Sequence, residues 1–216
     1  IKACYETCDY SGVTEAVDMI ISSAEDDLSP LDKALIKSKK LHALFKTGNC
    51  EEGINLTNNE ILTPLEEALS KQNSSEYLNS LFGAWFDASV NLVLLYSLQG
   101  NSKALEVADN TEEIINLNNI DNPEYSVKLG LARAFALAVI GRVNDSLATL
   151  RTVEKIQEYH IPKFISERNL IYAINLVCMD ETKLLEKKLF NYAKYADDAN
   201  DQFGKHIFKL ILAWLT

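Results

Sequence analysis

Strand-forming patterns are missing from this chain. Valine, isoleucine and threonine nowhere alternate with polar residues over a useful length, and no strand-pairing turn can be placed, which leaves an all-helical reading. Proline is scarce. Its four occurrences, Pro30, Pro64, Pro123 and Pro162, stand in S-P, T-P, N-P and I-P steps, each opening a helix-like segment where a missing N–H costs nothing. Arginine is equally scarce, although the chain has 21 basic residues: only Arg133, Arg142, Arg151 and Arg168 are present, too few for a dense phosphate-gripping surface. With 31 acidic side chains the net charge is −10, which opposes general binding to nucleic-acid backbones or to an anionic membrane. Acidic pairs such as Asp26-Asp27, Glu51-Glu52, Glu66-Glu67 and Asp197-Asp198 read as solvated faces.

Chemistry-bearing motifs are missing as well. His42, His160 and His206 lie far apart, and the chain has no HExxH, GxSxG, CxxC or GxxxxGK[ST]. No catalytic residue, metal ligand set or cofactor is therefore assigned. Cys4, Cys8, Cys50 and Cys178 are scattered through a chain that is 47% apolar, unlike a small disulfide-stapled domain, so reduced intracellular thiols are expected. Cys4 and Cys8 share a helical face but lack a second ligand pair for zinc. No initiating methionine, cationic-apolar leader or apolar run near ~20 residues is found, which predicts an excised or processed cytoplasmic segment without a membrane span.

What is present is punctuation by glycine. Gly12, Gly48, Gly100 and Gly141 fall between apolar helix-like runs at spacings of 36, 52 and 41. A small residue follows four or five positions later in GVTEAV, GNCEEGI, GNSKAL and GRVNDSL, where a second helix is expected to approach the first closely. Helices are expected over about 1–9 and 13–27, from Ser29-Pro30 to about Thr47, and over 51–62 and 64–71 as one kinked or two short elements. Ser74 or Ser75 then opens an apolar helix to Leu98, and a return helix runs from Ser102 to about Leu117. Further pairs are expected at 123–140 with 143–159 and at 162–178 with 181–200, Asp180 taking the glycine's place at the last turn. Asp201 caps a final helix whose ending, LILAWLT, calls for a covering neighbour.

This order of buried helix, glycine turn, small residue and amphipathic helix resembles the tetratricopeptide repeat, most visibly in LARAFALAVIGRVNDSLATL and NLVLLYSLQGNSKALEVA. The longer spacings are similar to the degenerate repeats in the sensor region of MalT-like LuxR-family regulators. GRVNDSLATLRTVEKIQEYHIPKFISERNLIYA resembles that family's helix, extended connection and new apolar helix. The resemblance implies a single domain over 1–216, a right-handed superhelical solenoid of about five antiparallel helix pairs plus a terminal helix. It also implies a module between a nucleotide-hydrolysing switch domain and a DNA-binding domain.

Polar groups embedded in apolar helices are the candidate binding residues. Asn91, Arg133, and Asn169 with Asn175 each need a partner or a wet groove, since a buried polar group left unpaired costs ~1–3 kcal/mol. Tyr96 and Tyr172 would serve as amphipathic walls. Two functions compete: a sensor region binding an effector or protein, and a general scaffold for peptide binding or complex assembly. An all-α enzyme has no motif behind it. The expected partner is a protein, a peptide or a small-molecule effector, with no direct nucleic-acid contact and an open oligomeric state.

Overall fold

The computed structural model describes residues 1–7, 9–71, 75–159, 164–199 and 201–215, and every regular element among them is helical. The contacts group the chain into two compact units, Ile1–Leu117 and Asn118–Thr216. The first contains α1 (Lys2–Glu6), α2 (Tyr10–Ser23), α3 (Pro30–Ser38), α4 (Leu41–Thr47), α5 (Cys50–Leu56), α6 (Leu62–Lys71), α7 (Ser75–Leu98) and α8 (Lys103–Leu117), with a π-helical turn, Thr57–Ile61, joining α5 to α6. The second contains α9 (Pro123–Val139), α10 (Val143–Tyr159), α11 (Ile165–Cys178), α12 (Thr182–Asp198) and α13 (Gln202–Leu215).

Local chemistry starts several of these helices. Ser29 accepts the Asp32 N–H at 3.1 Å ahead of Pro30, and Asn122 accepts the Glu124 N–H at 3.0 Å ahead of Pro123. Asp9 and Asp201 cap α2 and α13 by accepting from Gly12 and Gly204. Gly12 is therefore not the turn glycine that its spacing suggests; it sits inside the first turn of α2. The expected helix start at Pro162 and the extended connection before it lie outside the described residues, as do Cys8 and Ser74.

Four helix ends share one device. Gly48, Gly100 and Gly141 adopt left-handed φ values of 76°, 64° and 82°, and in each case the next N–H reaches back five residues, to Leu44, Tyr96 and Leu137. Asp180, at φ 58°, does the same, with the Glu181 N–H bonded to the Leu176 carbonyl at 2.9 Å. A Cβ in this conformation is strained by its own backbone. Because Asp180 is exposed, Asp180→Gly is expected to raise stability by about 0.5–1 kcal/mol, and Gly141→Ala to lower it by a similar amount. Paired thermal melts check both signs; a lower melting temperature for Asp180→Gly would show that its carboxylate matters more than its backbone.

The first unit is assembled around α7, which packs on α3, α4, α5, the π turn, α6 and α8. Tyr77–Leu98 is long and apolar enough to cross a membrane by length and composition, yet most of it is buried in this interior. Gly53 lets α5 come close: a Cβ there would lie 2.7 Å from Cδ1 of Leu95. The closest approach at Gly53 is thus made to α7, while α5 also packs on the preceding α4. Residues 50–71 run as one continuous helix whose middle turn widens to the π form, with the Leu62 N–H bonded to the Thr57 carbonyl. Pro64 supplies the reason, since it offers no N–H to the preceding turn and its ring crowds the carbonyl of Glu60.

The helix expected from Pro30 to Thr47 is broken at Lys39-Lys40. Lys40 is only 7% exposed, and its Nζ donates to Asp18 on α2 at 2.9 Å and to Glu52 on α5 at 3.0 Å. Burial would lower its pKa, but those two bonds and charges outweigh burial and hold it above the ordinary lysine value.

In the second unit each helix packs on the next, and α11 also packs on α9, as α13 does on α11. Ala132, Ala134, Ala136 and Ala138 of α9 are all buried. The small residue after Gly141 behaves as expected: Ser146 is fully buried, and its hydroxyl donates to the Ala134 carbonyl at 2.7 Å. Gly130 serves the same approach, since a Cβ there would lie 2.5 Å from Cγ2 of Val153.

Candidate functional site

Five of the candidate binding residues divide between the units. In the first, Asn91 is half-buried on α7 and its Nδ2 donates to the Asp87 carbonyl at 2.7 Å, while its Oδ1 is buried without a partner. Tyr96, five residues on, accepts from Nδ2 of Asn58 at 3.3 Å. In the second, Arg133 is half-buried and has a partner, Asn169 is 6% exposed and Tyr172 is half-buried. Asn169 and Tyr172 stand three residues apart on α11 and share a face, and Arg133 lies on α9, which packs on α11.

A denser arrangement surrounds Tyr172, and most of its members carry no motif. Arg168 precedes Tyr172 by four residues, so both side chains leave the same face of α11. Nη1 of Arg168 donates to Oε1 of Gln157 at 3.2 Å and lies 3.4 Å from Oε1 of Glu154, both on α10. The Tyr172 hydroxyl reaches the other oxygen of Glu154 at 3.5 Å. Tyr192 of α12 completes the group, its hydroxyl lying in the fields of Tyr172, Arg168 and Glu154. Glu154 and Gln157 stand at i and i+3 on α10, which aims both at α11. The i, i+4 pairing of Arg168 with Tyr172 is the one signal by which the sequence could have flagged this group.

Charge and burial set its electrostatics. The Arg168 side chain is 15% exposed against 40% for Glu154, so the pair is sheltered on one side and open to solvent on the other. Nε of Arg168 is buried and has no acceptor. Burial, then the Glu154 carboxylate, raises the Tyr172 hydroxyl above its ordinary pKa, against the opposing pull of Arg168 and Arg151. Tyr192 is pushed up to about 12, chiefly by burial and then by Tyr172.

That shift has a definite sign. From about pH 10, where an unfolded tyrosine ionises, to about pH 12, the folded chain keeps the Tyr192 proton and the unfolded chain loses it, so stability falls as pH rises. Lys40, also raised, pushes in the same direction at the alkaline end. Thermal melts across this range are expected to drop less steeply for Tyr192→Phe than for the wild type. Parallel curves would show that Tyr192 titrates normally.

The remaining chemistry-bearing groups are dispersed. Cys4, Cys50 and Cys178 are free thiols, and no group of three or more His, Cys, Asp or Glu among the described residues is arranged to hold a metal ion. His42 stacks obliquely on Tyr5 and Phe45, and Nδ1 of His206 bonds the Gln202 carbonyl at 2.6 Å. Charge is unevenly shared: the first unit holds 19 acidic and 8 basic residues, the second 12 and 13, including all four arginines. No family profile, curated protein or solved structure matches this chain.

Proposed function

We infer that the chain is a non-catalytic binding module built from degenerate tetratricopeptide-like helical hairpins. The observation that carries this reading is the recurrence of one turn, the left-handed residue with its five-residue back-bond, at Gly48, Gly100, Gly141 and Asp180. The packing of α11 on both α9 and α10, repeated by α13 on α11 and α12, is what a nearest-neighbour stack requires. Arg168, Glu154, Gln157, Tyr172 and Tyr192 gather donors and acceptors suited to holding a polar ligand.

Within that class we favour the sensor or interaction region of a cytoplasmic transcriptional regulator of the MalT-like LuxR kind, binding a protein, peptide or small effector. The hairpin spacings of 52, 41 and 39 between the four turns, longer than the standard ~34-residue period, favour it. The second reading, a general scaffold for assembling other chains, rests on the hairpin form alone. Sequencing the reading frame on both sides separates them. The regulator requires a phosphate-binding loop upstream and a basic helix-turn-helix downstream; further hairpins or an export signal would replace it with the scaffold.

A further inference from the structure

The geometry points to a carboxylate-binding site at Arg168, closed by Tyr172 and Tyr192, with Arg151 supplying the second positive charge. The inference rests on the reading of the chain as a binding module and gives that module's ligand its chemistry. A guanidinium carries five N–H donors in a planar fork and does not lose its charge at any ordinary pH. Both bonds that hold Arg168 in place, to Gln157 and Glu154, use Nη1. They fix the plane of the group and use neither Nε nor Nη2. Nε is buried and has no acceptor, a costly arrangement for a donor attached to a charged group. Nε and Nη2 together form the edge that takes a carboxylate through two parallel hydrogen bonds.

The surroundings select the ligand's charge. Arg151 stands three residues before Glu154 on the same face of α10, so with Arg168 it sets two positive charges against the one negative charge of Glu154. One further negative charge balances the set, which suits a carboxylate and leaves a phosphate dianion in excess. Tyr172 gives its one hydroxyl proton to Glu154 and serves as a wall, and Tyr192, whose hydroxyl pKa is pushed up to about 12 by burial, brings a neutral donor into the field of Arg168. Half-buried tyrosines and a 40% exposed Glu154 place the group at the margin of the unit, where solvent reaches it.

The carboxylate could belong to a small molecule or to a peptide terminus, and the two sources are separable. Isotope-labelled protein is titrated with sodium acetate, with N-acetyl-triglycine and with the amide of that peptide, at ionic strength held constant with sodium chloride. The Arg168 Nε–H signal is followed by NMR. Saturable movement with acetate supports a free carboxylate as sufficient; saturation only with the peptide acid assigns the peptide terminus. Linear drift with both acids, or equal movement with the amide, overturns the site.

Two variants sharpen the result. Arg168→Lys keeps the charge and removes the flat edge, so saturation, read on the Tyr172 and Tyr192 ring signals, is expected to be abolished; wild-type binding by this variant would also overturn the proposal. Arg151 is exposed, so Arg151→Gln tests the charge without threatening the fold. It is expected to weaken binding about two- to fivefold, the range of a partly screened charge pair, and unchanged affinity removes Arg151 from the site. A negative outcome in every arm would leave the binding-module reading intact, because that reading is decided by the flanking sequence.

Discussion

Asn175→Asp, a change of one amide to one carboxylate with no change of shape, is expected to destabilise the protein by about 3–5 kcal/mol at neutral pH. Asn175 is fully buried on α11, and its Nδ2 donates to the hydroxyl of Ser146 at 2.9 Å and to the Ile171 carbonyl at 2.9 Å. Ser146 has already committed its proton to Ala134, so the chain of bonds runs in one direction from α11 through α10 to α9. An aspartate would set a negative charge against one carbonyl and one hydroxyl lone pair. Its other oxygen would fare no better, because Oδ1 of the native side chain has no donor.

The folded aspartate would consequently hold its proton to a higher pH than in the unfolded chain. Its penalty should then be relieved as pH falls through that raised pKa, where the folded state binds the extra proton. Denaturant unfolding of the variant and the wild type at neutral and mildly acidic pH measures this. A loss that is the same at both would show that shape or hydration at Asn175, and not charge, sets the cost.

Phe86→Ala should cost a similar amount, about 3–5 kcal/mol, for a wholly different reason. Phe86 is among the largest side chains buried without any exposure, and it lies on the helix around which the first unit is assembled. Truncation forfeits the transfer of an aromatic ring and leaves a cavity at a fully buried position of α7. Chemical denaturation gives the value, and a cost below about 1 kcal/mol would mean that α7 is less constrained than its packing implies. Trp85, next along the chain, makes a useful comparison because its Nε1 donates to Glu66 at 3.3 Å and ties α7 to α6.

Of the candidate site, the sequence revealed one edge. Tyr172 is visible as an aromatic hydroxyl in an apolar helix, but Arg168 looks like an ordinary charged residue until Gln157 and Glu154 are seen beside it. Arg133 draws attention for the same reason as Asn175, a polar group in an apolar helix, and only the tertiary structure distinguishes a half-buried partnered side chain from a fully buried link. Periodicity reports which face of a helix is apolar and says little about which polar group on that face is met by which neighbour.

The fold divides along the same line. Helix starts at Ser29-Pro30, Asn122-Pro123 and Asp201, and stops at Gly48, Gly100, Gly141 and Asp180, are settled by groups within a few residues of each other: a side-chain cap, a missing N–H, a left-handed φ. Such interactions exist before the chain folds, so the sequence by itself determines them. The break at Lys39-Lys40, the approach of Gly53 to Leu95 and the gathering of Arg168 with Gln157, Glu154 and Tyr192 depend on partners far along the chain. Those partners become neighbours only when apolar faces are buried together, and the tertiary structure alone decides them because burial turns a solvated lysine or arginine into one that must be met by a particular carboxylate.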